Sequence, residues 1–337
     1  MHREPHTARN SGAAEAAGVL GATSFVGQLV LARLQSSRHQ ASQLQSSLLD
    51  ESAAMSGMSG MSATSAVSPV FAFSRQAAPT AATSAAAGIH WQQLPVSPGA
   101  WHASIPHWIA VCPLWAVPEH FALLEAAGAR RLVALSSTSR FTKRDSAAAA
   151  DRAVAARLAA AEDEVLDWAR AHGIAATILR PTLIYDGIHD RNVAAIAGFI
   201  RRFGFSPLAG AAAGLRQPLH ADDVAAACQA AIGCDGLRDA YELSGGETLP
   251  YHEMVSRIFA WLDRPPRLAR IPLPLVRAFL PVANLLPGLA SMATMAVRMN
   301  EDLVFDHRAA ARDFGFQPRS FTLPLCHVSD HAASVAR

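Results

Sequence analysis

Nine residues near one end of the chain, Val19-Leu20-Gly21-Ala22-Thr23-Ser24-Phe25-Val26-Gly27, have the types and spacing to hold a pyrophosphate. Gly21 can make a tight turn, and Gly27 lets the following helix pack closely against the strand. Ser24 stands where a third glycine is usual and offers a hydroxyl that can donate to a phosphate oxygen. A short run of small and apolar residues, Ala16 to Leu20, precedes the turn, and FVGQLVLARL follows with Phe25, Leu29, Leu31 and Leu34 at helical positions. Strand, turn and helix thus stand in the order that aims helix N–H groups at an anion, with Thr23, Phe25 and Val26 completing the cradle. The spacing predicts a bound dinucleotide; a structural turn that binds nothing is the alternative.

The choice of dinucleotide depends on the end of the second strand. An acidic side chain there would accept from a ribose 2′-hydroxyl, whereas an arginine would pair with a 2′-phosphate. The strand-like SPVFAFSR ends in Ser74-Arg75, and no Asp or Glu lies between Val67 and Gly88. This predicts NADP ahead of NAD, unless Arg75 is simply solvated. Cys112 and Pro113, after the fourth strand-like run, join the expected cofactor contacts.

The elements that must position these residues alternate. GIHWQQL and HWIAVCPLW read as strands, VPEHFALLEAAGA as a helix closed by Gly128, RRLVALSSTS as a strand, Ala147 to His172 as an Ala-rich helix, and IAATILRP as a strand. Strand-helix alternation predicts an α/β class fold, a doubly wound parallel sheet with ligands at the carboxyl ends of its strands. Beyond Pro181 the pattern loosens, predicting a smaller, partly interleaved α/β substrate domain. The expected layout is a flexible tail over 1–15, a dinucleotide domain over 16–185, a substrate domain mainly over 186–330 with 216–233 returning to the first domain, and a tail over 331–337. Residues 36–68, rich in Ser, Ala, Gln and Met, read as a flexible low-complexity insertion.

Composition excludes several classes. A formal charge of +2, with basic residues in small groups such as Arg130-Arg131 and Arg201-Arg202, lacks the footprint of a nucleic-acid binder. Cys112, Cys228, Cys234 and Cys326 show neither a disulfide framework nor zinc spacing, so the expected compartment is reducing and cytoplasmic. The first eighteen residues contain no apolar run of the signal-peptide kind. Ala278 to Val297 carries no charge for twenty residues, but Pro281, Asn284, Pro287 and Gly288 interrupt it, favouring buried helices over membrane contact.

Taken together, the glycine turn, Leu135-Ser136-Ser137-Thr138, Arg180-Pro181, RQPLHADDVA from Arg216 and EDLVFDHRAAARDFGFQP near the C-terminus resemble the extended short-chain dehydrogenase/reductases, the NAD-dependent epimerase/dehydratase family. The resemblance covers nearly the whole chain after Ala16. It implies a Rossmann-type domain with NAD(P) and hydride chemistry on a small molecule, a nucleotide sugar or another carbonyl compound; a homodimer is a further candidate state. It also implies that Thr138 holds the reacting oxygen, that Ser136 and Pro181 line the cofactor, and that Ser137, Leu183 and Arg216 meet substrate.

One departure is visible by inspection. The family's acid/base pair is Tyr-x-x-x-Lys, yet the residues four after Tyr185, Tyr241 and Tyr251 are His189, Gly245 and Val255, and Lys143 is the single lysine. The resemblance places the pair at Val154 and Leu158. Other groups must then move a proton, if any does. Lys143 lies just beyond Thr138, and Tyr185 and His189 lie after the sixth strand, with an imidazole suited to neutral pH; each has a commoner role as a solvated loop residue. His220 with Asp222 and Asp223 reads as structural. Two functions follow: an atypical NADP-dependent oxidoreductase or epimerase-like enzyme with a non-standard proton donor, or a non-catalytic dinucleotide-binding redox sensor or assembly factor. No cluster has metal-ligand spacing.

Overall fold

A computed structural model of the chain describes residues 15–56, 69–77, 88–276, 278 and 295–323. Residues 1–14 and 331–337 of the expected tails, Gly57 to Ser68 and most of Ala278 to Val297 lie outside the described residues. Seven parallel strands form the central sheet: β1 (Ala17–Leu20), β2 (Val70–Ser74), β3 (Ile89–Gln93), β4 (His107–Ala110), β5 (Arg131–Leu135), β6 (Ala175–Pro181) and, later in the chain, β11 (Ala240–Leu243). Their spatial order is β11-β6-β5-β4-β1-β2-β3. The order reverses on either side of β1, so β1 and β4 diverge into opposite crossovers and leave a crevice above their carboxyl ends. Strands β1 and β2 are buried throughout, as a parallel sheet covered on both faces requires.

Helix α1 (Phe25–Ser56) takes in residues 36–56, the first part of the stretch that composition reads as a flexible insertion. The physical reason is that no glycine or proline falls between Gln28 and Ser56, while Ala, Leu, Gln and Arg sustain a helix without a strongly apolar face. The short helices α2 (Phe121–Ala126) and α3 (Ser139–Thr142) precede α4 (Ala149–Ala171), which buries Ala155, Leu158, Ala161, Glu162, Val165 and Ala169. After β6 come β7 (Ile184–Tyr185), α5 (Val193–Phe203), β8 (Ser206–Ala209), β9 (Leu215–Arg216) and β10 (Leu219–His220). Strand β7 pairs with β10. Helix α6 (Ala221–Ile232) then packs beside α1 in one apolar cluster that contains Val19, Val30, Val224 and Cys228. Strands β12 (Leu249–Pro250) and β13 (Leu268–Ile271) pair with β9 and β8. Helix α7 (Tyr251–Trp261) packs with α5 around a second core of Tyr185, Ile200, Met254 and Phe259, and α8 (Arg308–Phe314) returns to the sheet side beside Tyr241.

Charge ties the helices. Arg33 on α1 grips Asp222 through two hydrogen bonds of 2.7 Å, and Arg319 reaches Asp222 and Asp223. The His220 ring accepts from the Asp222 N–H at 3.1 Å as the cap of α6. This is the structural role expected for that trio. The Arg33 guanidinium holds the Asp222 carboxyl down to about 2 from its ordinary 3.8. A depressed carboxylate stabilises the fold fully above its unfolded value and loses that contribution as pH falls through its folded one. Asp222→Asn is therefore expected to cost about 1 kcal/mol at neutral pH, discounted for partial exposure. It should also make thermal unfolding less sensitive to pH between about 4 and 2, as melting scans would show.

Candidate functional site

The glycine turn sits at the carboxyl end of β1 with its backbone fully specified. The Gly21 and Ala22 N–H groups donate to the Phe73 carbonyl at 3.1 Å, and Ser24 N–H donates to the Gly21 carbonyl at 3.0 Å. Gly21 has φ +83°, a left-handed conformation, and a Cβ there would lie 2.6 Å from the Cys112 nitrogen. A Cβ on Gly27 would collide with the Gly21 carbonyl oxygen and come within 2.9 Å of the Ala22 oxygen. Ser24 caps α1: its Oγ accepts from the Gly27 N–H at 3.0 Å, which leaves the hydroxyl proton free to donate. The N–H groups of the first helical turn, those of Phe25 and Val26, have no acceptor within an α-helix. A tight glycine turn at a helix N-terminus, with unsatisfied first-turn N–H groups and a spare hydroxyl donor, fits a phosphate group.

The neighbouring strand ends complete this half of the crevice. Thr23 Oγ1 and Ser74 Oγ are 2.8 Å apart, and the buried Ser74 also accepts from the Gln76 N–H at 3.0 Å. Arg75 is exposed and lies close enough to Cys112 and His120 to influence both. Pro113 opens a short 3-10 turn, Leu114–Ala116. Burial pushes the Cys112 thiol up to about 11, so it stays protonated and lines the crevice rather than reacting.

The residues expected to do chemistry have polar partners within the protein. Thr138 is buried, and both its N–H and its hydroxyl donate to the Pro181 carbonyl, at 3.1 and 3.2 Å. Its hydroxyl thus ties the end of β5 to the end of β6. Ser136 Oγ donates to Glu162, and Ser137 Oγ accepts from the Ser139 N–H at 3.1 Å. Lys143 Nζ is 2.6 Å from Asp151, an ion pair that also receives Ser146. Tyr185 is corrected from a cleft residue to a core one. It is fully buried, its hydroxyl donates to the Thr322 carbonyl at 3.1 Å, and burial raises its pKa above the ordinary tyrosine value. Arg216 is likewise corrected from substrate contact to scaffold: buried, it donates to the carbonyls of Leu215, Glu301 and Arg298 and stacks on Tyr251. Leu183 packs on the second core, and its carbonyl accepts from the Leu219 N–H at 2.8 Å. His189 alone stays exposed, 2.8 Å from an Asp186 carboxylate oxygen, on a loop held by Asp186 and the buried Asp190. At the positions implied for the family's pair, Val154 is exposed and Leu158 buried on α4.

A buried ion network centres on Glu162 of α4. Glu162 has no exposed surface and receives Arg140, Ser136 and Arg180, the last at 2.6 and 3.0 Å. Arg180 extends to Glu242 at 3.1 Å, and Phe141 lies under both arginines. The signal was present: Glu162 falls on the same helical stripe as Leu158, Ala161, Val165 and Ala169, and a carboxylate on an apolar stripe must find cations. Among the described residues no three His, Cys, Asp or Glu side chains converge to hold a metal ion.

A doubly wound sheet with a glycine turn and a helix N-terminus at its switch point defines a dinucleotide-binding α/β architecture. Residues 17–240 match the model of the NAD dependent epimerase/dehydratase family, and the chain belongs to that family. Among solved structures it is similar to UDP-glucuronic acid 4-epimerase from Bacillus cereus in complex with NAD, at 12% identity and a TM-score of 0.59 over 90% of this chain and 93% of that one. It is also similar to the NADPH-dependent quinone oxidoreductase QOR2 of Escherichia coli, at 20% identity and a TM-score of 0.58 over 91% and 96%. At such identities the likeness is one of fold. A sequence relative, the mitochondrial NADH dehydrogenase [ubiquinone] 1 alpha subcomplex subunit 9 of Arabidopsis thaliana, is 34% identical over 122 residues. That match covers 36% of this chain and 29% of the relative's length.

Removing the buried carboxylate leaves Arg140 and Arg180 only their outer partners, Asp163 and Glu242. Glu162→Ala is expected to cost about 3–5 kcal/mol of unfolding free energy, read by urea denaturation; a loss below about 1 kcal/mol would mean that the network does not brace the sheet.

Proposed function

We propose that the chain holds a nicotinamide dinucleotide, NADP in preference to NAD, as a bound ligand, and that it serves as a redox sensor or assembly factor in a reducing, cytoplasmic setting. One observation carries the reading: the cradle for the phosphate is intact in every backbone contact, whereas Thr138, Lys143 and Tyr185 have their polar atoms committed to Pro181, Asp151 and Thr322. Hydride transfer to a carbonyl needs a proton donor within hydrogen-bond reach of the oxygen that receives the proton. A relative named as a subunit of NADH dehydrogenase supports a role in an assembly, and neighbours described with NAD or NADPH support the ligand class.

A second reading keeps catalysis, and His189 favours it. Its imidazole is exposed and held by Asp186 at 2.8 Å, whereas Thr138 and Tyr185 are buried and Lys143 is paired with Asp151. The substrate would then be a nucleotide sugar or another carbonyl compound, the class described with MoeE5 and UDP-glucuronic acid.

Calorimetry separates coenzyme choice from turnover. Wild-type protein is expected to bind NADPH more tightly than NADH, and Arg75→Glu to erase that preference by about tenfold or more. An unchanged preference would remove Arg75 from the site. Nicotinamide absorbance should stay flat with a panel of carbonyl and sugar-nucleotide compounds; steady oxidation abolished by His189→Ala would instead establish the enzyme reading.

A further inference from the structure

We propose that the face built from α5 and the β13 edge docks on an anionic lipid surface. The inference concerns a part of the molecule remote in sequence from the glycine turn and does not depend on which coenzyme is held. Helix α5 buries Val193, Ala197 and Ile200 against the second core. Its other side carries Gly198, Phe199, Arg201, Arg202 and Phe203 in water, and Phe205 follows Gly204, the left-handed residue that ends the helix. Phe199, Phe203 and Phe205 are 36%, 52% and 38% exposed, and their rings touch, tilted at 4.6 Å between the first two and edge-to-face at 5.6 Å from Phe199 to Phe205. Three phenylalanines that pack together yet face solvent form a contiguous apolar patch of the kind that marks an interaction site, unlike scattered single residues.

What surrounds the rings identifies the partner. The Arg202 guanidinium lies 5.4 Å from the Phe203 centroid, and Arg201 lies at the same distance from Trp261. Arg264 donates to the Ile200 and Arg201 carbonyls at 2.9 and 3.1 Å, joining the turn before β13 to the end of α5. The Arg267 carbonyl receives the Ser206 N–H, which places its residue beside Phe205, and Arg270 is exposed two strand positions past Leu268. Against these five cations the same stretches offer one exposed acid, Asp263. A protein partner of ordinary composition would meet such a face with mixed charge. A bilayer surface supplies what the patch has: an apolar boundary for the rings and a sheet of phosphates for the guanidinium groups. The strand edge continues into exposed Ile271 and Leu275, and beyond them the sequence from Ala278 to Val297 carries no charged residue. Among the described residues no helix is long and apolar enough to cross a membrane, and docking by this face lies in the plane of the surface.

The test is sedimentation of the full chain with vesicles of phosphatidylcholine alone and of phosphatidylcholine mixed with phosphatidylglycerol. Wild-type protein is expected to pellet with the mixed vesicles only, and less so in high salt. Phe199→Ser combined with Phe203→Ser should weaken partitioning by about tenfold or more, and Arg202→Glu combined with Arg267→Glu should abolish the preference for phosphatidylglycerol. All four side chains are exposed, so circular dichroism should match wild type, and either pair of substitutions suffices if the other disturbs folding. Protein that stays in the supernatant with both vesicles overturns the proposal. So does equal binding by wild type and both variants, which would put the contact elsewhere, or a dimer that the Phe variant converts to a monomer, which would make a second copy the occupant.

Discussion

Helix α1 can start where it does because position 27 has no side chain. The Gly21 and Ala22 carbonyl oxygens stand where a Cβ would be, so the first turn of the helix closes directly onto the end of β1. That approach brings the Ser24 hydroxyl under the Gly27 N–H and exposes the remaining first-turn donors to the crevice. It also requires Gly21 to adopt a left-handed conformation against the backbone of Cys112, which locks β4 beside the turn. The sheet order then follows: β1 and β4 are neighbours whose chains leave in opposite directions, and the cradle sits between them.

Opposite this cradle the molecule has spent its polar groups on bracing. Thr138 joins β5 to β6 through Pro181, and Glu162 on α4 gathers Ser136 from the end of β5, Arg140 from α3 and Arg180 from β6. Arg216 closes the loop at Glu301 by bonding its carbonyls. A buried ion network of this kind costs desolvation that only complete pairing offsets; here each charged group has partners on other elements, so the network aligns the strand ends without presenting a free acid or base. Two halves of one crevice thus behave differently, one open to an anion and one already satisfied.

Much of the fold was legible because its signals are local. Alternating apolar runs and helical stripes, punctuated by Gly128 and Gly173, reveal β4 to β6 and α4, and the glycine spacing reveals the turn. The length of α1 was not, since Ser and Met repeats suggest low complexity while the absence of glycine and proline from Gln28 to Ser56 permits a helix. The site was harder because function depends on where a side chain aims. Ser136 and Thr138 sit two residues apart, yet one feeds a buried glutamate and the other a backbone carbonyl. Nothing in the spacing around Tyr185 or Arg216 tells that one enters a core and the other a loop, since their partners, Thr322 and Glu301, lie more than eighty residues away in sequence.

The central claim is that an intact phosphate cradle retains a nicotinamide dinucleotide. Mass spectrometry of the native protein, purified without added nucleotide and then after equilibration with NADPH, tests it most directly. The account predicts a stoichiometric NADP(H) or NAD(H) adduct in wild type that Ser24→Asp, which keeps a cap acceptor for the Gly27 N–H but sets a carboxylate against the phosphate, eliminates while leaving the folded charge-state distribution in place. A wild-type spectrum with no adduct even after equilibration, or an adduct that survives Ser24→Asp undiminished, would contradict it.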